Sequence, residues 1–176
     1  MATDTTLPTS LDELDPTVAA SVRGATIILV PVDDGSEEGF TLACRVATAL
    51  ASLGGARLVL LDRSDTTYAD TPRVQELTRD HVVGLDRPYL LDALDAVAAE
   101  GVAVTAFQHS LPGDEAYTDA ADELGADLIV VPDHLDSPGL LDRFKRDDVS
   151  ERTVDAAPSG TGVLVVSTEG TVRQAS

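Results

Sequence analysis

The sequence predicts a doubly wound α/β domain, in which helices cover both faces of a parallel sheet. Five apolar runs of strand length alternate with segments whose apolar residues recur at helical spacing. That alternation requires crossover connections, which make the strands parallel and place the helices against the sheet. A chain of 176 residues is long enough for one such domain and leaves little room for a second.

The first strand is predicted over residues 26–32, which are apolar on both faces as a central parallel strand should be. Residues 33–35 then form a turn, and Ser36 can cap the helix predicted over 39–55. The later elements follow the same rhythm. Further strands are predicted at 56–62, 102–108, 126–132 and 162–167, with helices at 86–100, 114–124 and 149–156.

Polar segments flank and interrupt this pattern. Residues 1–24 contain one weak helical pattern and are expected to form an arm outside the core. The domain itself is expected over 25–167, followed by a C-terminal tail at 168–176. Within the domain, the polar composition of 63–85 predicts a mobile loop.

The charge balance excludes several classes of partner. The chain has 22 Asp and 9 Glu against 11 Arg and the single Lys145, which gives a net charge of −19. Nucleic acids and anionic membranes need a basic surface, so neither is an expected partner. An Asp-rich, nearly Lys-free surface resembles that of proteins from salt-loaded haloarchaeal cytoplasm. A Debye length of about 3 Å at molar salt screens self-repulsion there.

Other features favour a cytoplasmic protein without disulfide bonds. The single Cys44 excludes an intrachain disulfide, and its neighbours Ala43 and Val46 predict a buried thiol on a helix. No N-terminal segment resembles a signal peptide, and no apolar run reaches the roughly 18 residues of a membrane span. We therefore expect a cytoplasmic location.

Three motifs resemble those of the universal stress protein family. They are ILVPVDDGSEEG at the start of the domain, ELGADLIVVP around the fourth strand and VSERTVDAAPSGTGVLVV at the end. The resemblance implies an adenine-nucleotide alpha-hydrolase-like, Rossmann-like fold with a five-stranded parallel sheet in the order 3-2-1-4-5. Strands one and four are then neighbours, and ligands of doubly wound sheets bind at the carboxyl ends around such a reversal.

Nucleotide-binding members of the family carry glycines after strand four and again at the start of the last helix. Glycine lets backbone N–H groups approach the phosphates, and the helix N-terminus adds a partial positive charge. In this sequence the two glycines after strand four fall near Asp133 and Asp136, and the later Gly-Ser or Gly-Thr pair aligns with Asp147 and Asp148. The resemblance implies that the candidate nucleotide-binding residues of this chain are Pro31, Asp33, Arg63, Asp133 and Asp148.

Electrostatics argues against unaided ATP binding. Two like charges about 4 Å apart repel by roughly 4 kcal/mol at an effective dielectric of about 20, which is about three decades of affinity. A divalent cation would reverse the sign, because magnesium and calcium prefer clustered carboxylate oxygens. An Asp-rich chain also brings carboxylates together by chance. The candidate metal ligands are Asp33, Asp34, Asp133 and Asp136.

The last strand offers an interaction surface. Its residues Val163, Leu164, Val165 and Val166 are expected at an uncharged sheet edge, which invites pairing with another strand. The resemblance implies a homodimer through this strand. Cover by the N-terminal arm is the alternative.

Little in the sequence favours an enzyme. Neither Gly-x-Ser-x-Gly nor His-Glu-x-x-His occurs, and His81, His109 and His134 are scattered. We therefore expect a universal-stress-type regulatory or interaction module with no catalytic residues, no cofactor and an unknown protein partner. The alternative is a divergent ATP or AMP sensor that holds its ligand through Asp33 and a magnesium ion.

Overall fold

The computed structural model describes residues 6–32, 38–62, 74–109, 115–133 and 157–175. A short 3-10 helix at Leu11–Glu13 comes first. The helices are α1 (Pro16–Gly24), α2 (Glu38–Gly54), α3 (Arg79–Gly84), α4 (Pro88–Ala99) and α5 (Glu115–Leu124). The strands are β1 (Ile27–Val32), β2 (Arg57–Asp62), β3 (Val74–Leu77), β4 (Val104–His109), β5 (Leu128–Pro132), β6 (Gly162–Val166) and β7 (Val172–Gln174).

These strands form one sheet in the order β3-β4-β2-β1-β5-β6-β7. The five inner strands are parallel and keep the relative order predicted for them. At each end a short strand, β3 or β7, pairs antiparallel with the parallel set. The α/β prediction is confirmed, but the prediction of five parallel strands is wrong because these two short polar segments extend the sheet.

The structure corrects the position expected for β6. This strand lies between β5 and β7, with Val166 opposite Val172, so it is not at an open edge. The C-terminal segment turns back after Ser167, whose N–H donates to Thr171 O at 2.9 Å, and then pairs with β6. The four residues predicted to line an open edge are all buried in the single chain: Val163, Leu164, Val165 and Val166.

The N-terminal segment also differs from the expectation of an arm outside the core. Asp15 caps α1 by accepting a hydrogen bond from Thr17 N at 2.9 Å, and Pro16 occupies the first helical position. Val22 is fully buried beside the end of α2. A Cβ on Gly54 would lie 2.6 Å from Val22 O, so only glycine allows this close approach. For α1, the arm prediction is therefore wrong.

Part of the segment 63–85, predicted as a loop, is ordered structure. Strand β3 pairs with β4 so that Val74 lies opposite His109. Thr78 then caps α3, and its backbone N–H donates to the ring of His81 in return. The loop prediction is wrong for these elements, whereas residues 63–73 lie outside the described part of the chain.

Two apolar clusters cover the two faces of the sheet. Alternate residues of β1 point to opposite sides, so that Val30 packs with α1, α2 and α4 while Leu29 packs with α5. This arrangement leaves the carboxyl ends of β1, β2, β4 and β5 at one edge of the molecule. We call that edge, from Val32 to Asp62, His109 and Asp133, the carboxyl edge.

Candidate functional site

The strand order reverses at the carboxyl edge between β1 and β5. Their paired register covers only Ile28 with Leu128 and Leu29 with Ile129. Two residues further along β1, Pro31 has no N–H to donate, which accounts for the end of pairing there. Ligands of doubly wound sheets bind at such a reversal, so the carboxyl edge is the candidate site.

The structure describes two of the predicted nucleotide-binding residues. Pro31 is buried in β1 opposite Leu61, and Asp133 directly follows β5. These two come from the neighbouring strands that the sequence predicted to meet. The other predicted nucleotide and metal residues lie outside the described part of the chain: Asp33, Asp34, Arg63, Asp136 and Asp148.

Asp133 is held by a residue that the sequence analysis missed. Its N–H donates to Val166 O at 2.8 Å, which fixes the backbone at the end of β5. Its carboxylate accepts a hydrogen bond from Arg173 Nη2, also at 2.8 Å. The Arg173 side chain is 57% exposed and that of Asp133 is 21% exposed. The C-terminal strand β7 thus supplies a cation to the place where a phosphate loop would begin.

Asp62, at the end of β2, is a buried carboxylate with partners from the start of α4. Tyr89 Oη donates to its Oδ1 at 2.5 Å, and Arg87 Nε lies 3.4 Å from its Oδ2. The Asp62 side chain is fully buried. A buried carboxylate requires such partners, because an unpaired one carries a large desolvation penalty. Both carboxylate oxygens of Asp62 are therefore engaged by the chain itself.

The histidines divide between two structural roles. His109 Nε2 lies 2.7 Å from Asp119 Oδ2 of α5, and the His109 side chain is fully buried. His81 is exposed and belongs to the capping box of α3. His134 lies outside the described residues.

The aspartate of the ELGADLIVVP motif is Asp127, which lies at the amino ends of the parallel strands, opposite the carboxyl edge. One of its carboxylate oxygens accepts hydrogen bonds from Thr26 N, Thr26 Oγ1 and Ile27 N at 2.8, 2.8 and 3.1 Å. These bonds hold the pKa of the Asp127 carboxyl below its ordinary value, with the backbone bond from Thr26 the largest cause. Asp127 therefore joins the start of β1 to the start of β5 and is structural.

Three further observations bear on function. Among the described residues, no group of three or more His, Cys, Asp or Glu side chains is placed to hold a metal ion. None of the helices in those ranges is long and apolar enough to cross a membrane. Cys44 is buried, as predicted, and this burial raises the pKa of its thiol to about 11.

Comparison with known proteins gives a consistent result. The profile of the universal stress protein family matches residues 25–167. A universal stress protein solved in complex with cAMP is 21% identical, with a TM-score of 0.57 over 82% of this chain and 98% of that chain. A member of the family from Burkholderia pseudomallei is 25% identical, with a TM-score of 0.51 over 80% and 95%. No curated protein sequence gives a significant match.

Proposed function

The chain belongs to the universal stress protein family, and from that premise we propose that it is a regulatory or interaction module of the stress response that does not bind ATP unaided. The observation that carries the proposal is the ion pair between Asp133 and Arg173 at the carboxyl edge. A nucleotide phosphate placed there would be repelled by the Asp133 carboxylate, and the nearby cation, Arg173, is already paired with that carboxylate. The phosphate would therefore have to compete for Arg173.

The end of β2, which the family resemblance aligns with the adenine side of a nucleotide site, supports the same proposal. A base that approached the end of β2 would have to displace Tyr89 or Arg87 from Asp62. Breaking a buried pair leaves an uncompensated charge, which costs on the order of 3–5 kcal/mol. That cost is comparable with the binding energy of a weak ligand. Ligand contacts at this position are therefore unfavourable.

We also propose that the module works as a homodimer in salt-rich cytoplasm, with a protein partner. The net charge of −19 supports the salt-rich environment, because self-repulsion of that size is tolerated best where it is screened. Since β7 covers β6, a second copy that pairs with this end of the sheet would meet β7 and not β6. We therefore place the dimer contact at β7, and not at Val163–Val166 as the sequence predicted.

Calorimetric titration of ATP and AMP in molar KCl tests the proposal. Without magnesium, we expect no saturable heat at millimolar nucleotide from protein whose circular dichroism shows that it is folded. A saturable signal without magnesium would contradict the proposal.

The cAMP complex of one relative favours a second candidate function, a nucleotide sensor in which Asp33 and magnesium hold ATP or AMP. The same titration with magnesium distinguishes the two functions. A magnesium-dependent signal that is lost in Asp33→Ala and retained in Asp80→Ala would establish the sensor. Asp80 is a suitable control because it is exposed on α3, away from the carboxyl edge.

A further inference from the structure

A cavity of about 780 Å³ lies between α2 and α4, on the face of the sheet that these helices cover. Its walls are the facing sides of the two helices, and Leu7, Pro8 and Thr9 of the N-terminal segment close part of it. Ligand pockets in proteins commonly have volumes of roughly 300–1,000 Å³. We call this cavity the α2–α4 groove.

The groove is elongated. On α2 its lining runs from Phe40 to Leu53, and on α4 from Tyr89 to Val97, with Glu100 directly after that helix. At a rise of about 1.5 Å per residue, the α2 wall is about 20 Å long. Ala49, Ala93 and Ala96 line the middle, where larger side chains would fill the space. This shape suits an extended chain better than a compact ring.

The lining is mostly apolar, and one of its hydroxyl groups, that of Thr48, already makes a hydrogen bond within α2. Phe40, Val97 and the three alanines supply apolar surface, while the Thr48 hydroxyl donates to Cys44 O at 2.7 Å. An apolar chain placed here would remove that surface from water, which is the main source of favourable binding energy in such pockets.

Three charged residues line the groove: Arg45, Asp92 and Glu100, all exposed. Among the described residues, Arg45 makes no hydrogen bond or ion pair. Other arginines of the described ranges do contact a carboxylate: Arg23, Arg79, Arg87 and Arg173. Arg45 can therefore pair with an anionic head group, while the two acids of the lining disfavour a head with more than one negative charge.

We propose that the α2–α4 groove binds a molecule with one extended apolar chain and a monoanionic head, of the fatty-acid class. The head pairs with Arg45, and the chain runs between the helices toward Leu53, a distance of about 12 Å along α2. The groove adjoins the carboxyl edge at Val32 and Tyr89, but the contacts proposed for the ligand lie on α2 and α4. The proposal therefore does not rest on the proposed function.

Calorimetric titration of dodecanoate into the full chain in molar KCl, below the concentration at which micelles form, tests the proposal. One molecule is expected to bind per chain. Ala93→Phe fills the groove and should weaken binding by at least about tenfold, since the apolar contact supplies most of the affinity. Ala98→Phe is the matched control, because Ala98 is exposed on the same helix and does not line the groove.

The head-group assignment has its own test. Arg45→Gln should weaken dodecanoate binding by about two- to fivefold, the range expected for an exposed ion pair, and leave dodecanol binding unchanged. Arg57→Gln is the control, because Arg57 is exposed, has no ion pair among the described residues and does not line the groove.

Several results would overturn the proposal. Absence of saturable dodecanoate binding would remove the site, as would equal losses in Ala93→Phe and Ala98→Phe when both variants unfold at the wild-type urea concentration. Unchanged dodecanoate affinity in Arg45→Gln, or an equal loss for dodecanol, would overturn the anionic head.

Discussion

At the scale of residues, carboxylates dominate this protein, and their neighbours decide what each one does. Asp133 pairs with Arg173 at the surface, Asp62 is buried against Tyr89, and Asp127 joins two strands. The sequence predicts that Asp133 lies at the carboxyl edge. It does not predict the partners, because Arg173 is 40 residues from Asp133 and no local spacing brings them together.

The first prediction concerns the structural aspartate. Asp127→Ala removes the acceptor of three hydrogen bonds and leaves two backbone N–H groups at the start of β1 without it. We expect a loss of about 1–3 kcal/mol in the free energy of unfolding, measured with urea at constant molar KCl. Asp122→Ala, at an exposed position of α5, is the control and should change this free energy little.

The contribution of Asp127 should also depend on pH. Because its folded pKa lies below the ordinary value of 3.8, the unfolded chain takes up the proton first as the pH falls. The stabilisation is therefore complete above that ordinary value and is lost as the pH falls through the lower folded pKa. The difference in unfolding free energy between wild type and Asp127→Ala should stay constant down to about pH 4 and shrink below it. A difference that already shrinks near neutral pH would contradict this explanation.

At the scale of elements, apolar runs predicted the inner strands well, and short polar strands were missed. β7 has only three residues, Val172–Gln174, and β3 has four within a polar segment, so neither shows a periodicity that can be recognised. Both lie at sheet edges, where pairing with a neighbour rather than local propensity decides the structure. The burial of α1 was missed for a similar reason, since its pattern is short and weak.

Removal of β7 tests its role as a cover for β6. A chain ending at Ser167 leaves the backbone of β6 unpaired on its outer side. Open apolar edges associate, so we expect this variant to form larger species than the full chain does at the same concentration. Light scattering after size-exclusion chromatography measures the difference. Arg173→Gln, which keeps the strand, should behave as wild type, and a truncated chain with unchanged mass would contradict the role.

At the scale of the whole molecule, charge and fold are separate properties of the sequence. The alternation of strands and helices predicted an α/β fold and the order of the inner strands, and the motifs predicted the family. The acidic composition predicts the salt concentration at which that fold is stable. The candidate site could be predicted as a place but not as a set of contacts, because Asp62 and Asp133 obtain their partners only when distant segments pack.

The net charge predicts a strong dependence of stability on salt. Lowering KCl from molar to 0.1 M lengthens the Debye length from about 3 to about 10 Å, so more of the 31 acidic residues repel one another. The midpoint of thermal unfolding should fall as KCl is removed. The midpoint of a variant with Glu100→Gln, Asp122→Asn and Glu123→Gln, all at exposed positions, should fall less than that of wild type. Equal midpoints for wild type at both salt concentrations would contradict the prediction.

The central claim is that carboxylates at the positions of the family's phosphate-binding Gly-x-x-Gly and Gly-Ser motifs prevent unaided ATP binding. The most direct test is the Kd for ATP in molar KCl, without magnesium, for wild type and for a variant with Asp133→Gly, Asp136→Gly, Asp147→Gly and Asp148→Ser. The account predicts no measurable binding by wild type and saturable binding by the folded variant, with a gain that approaches about three decades. Saturable binding by wild type, or a folded variant that binds no ATP, would contradict it.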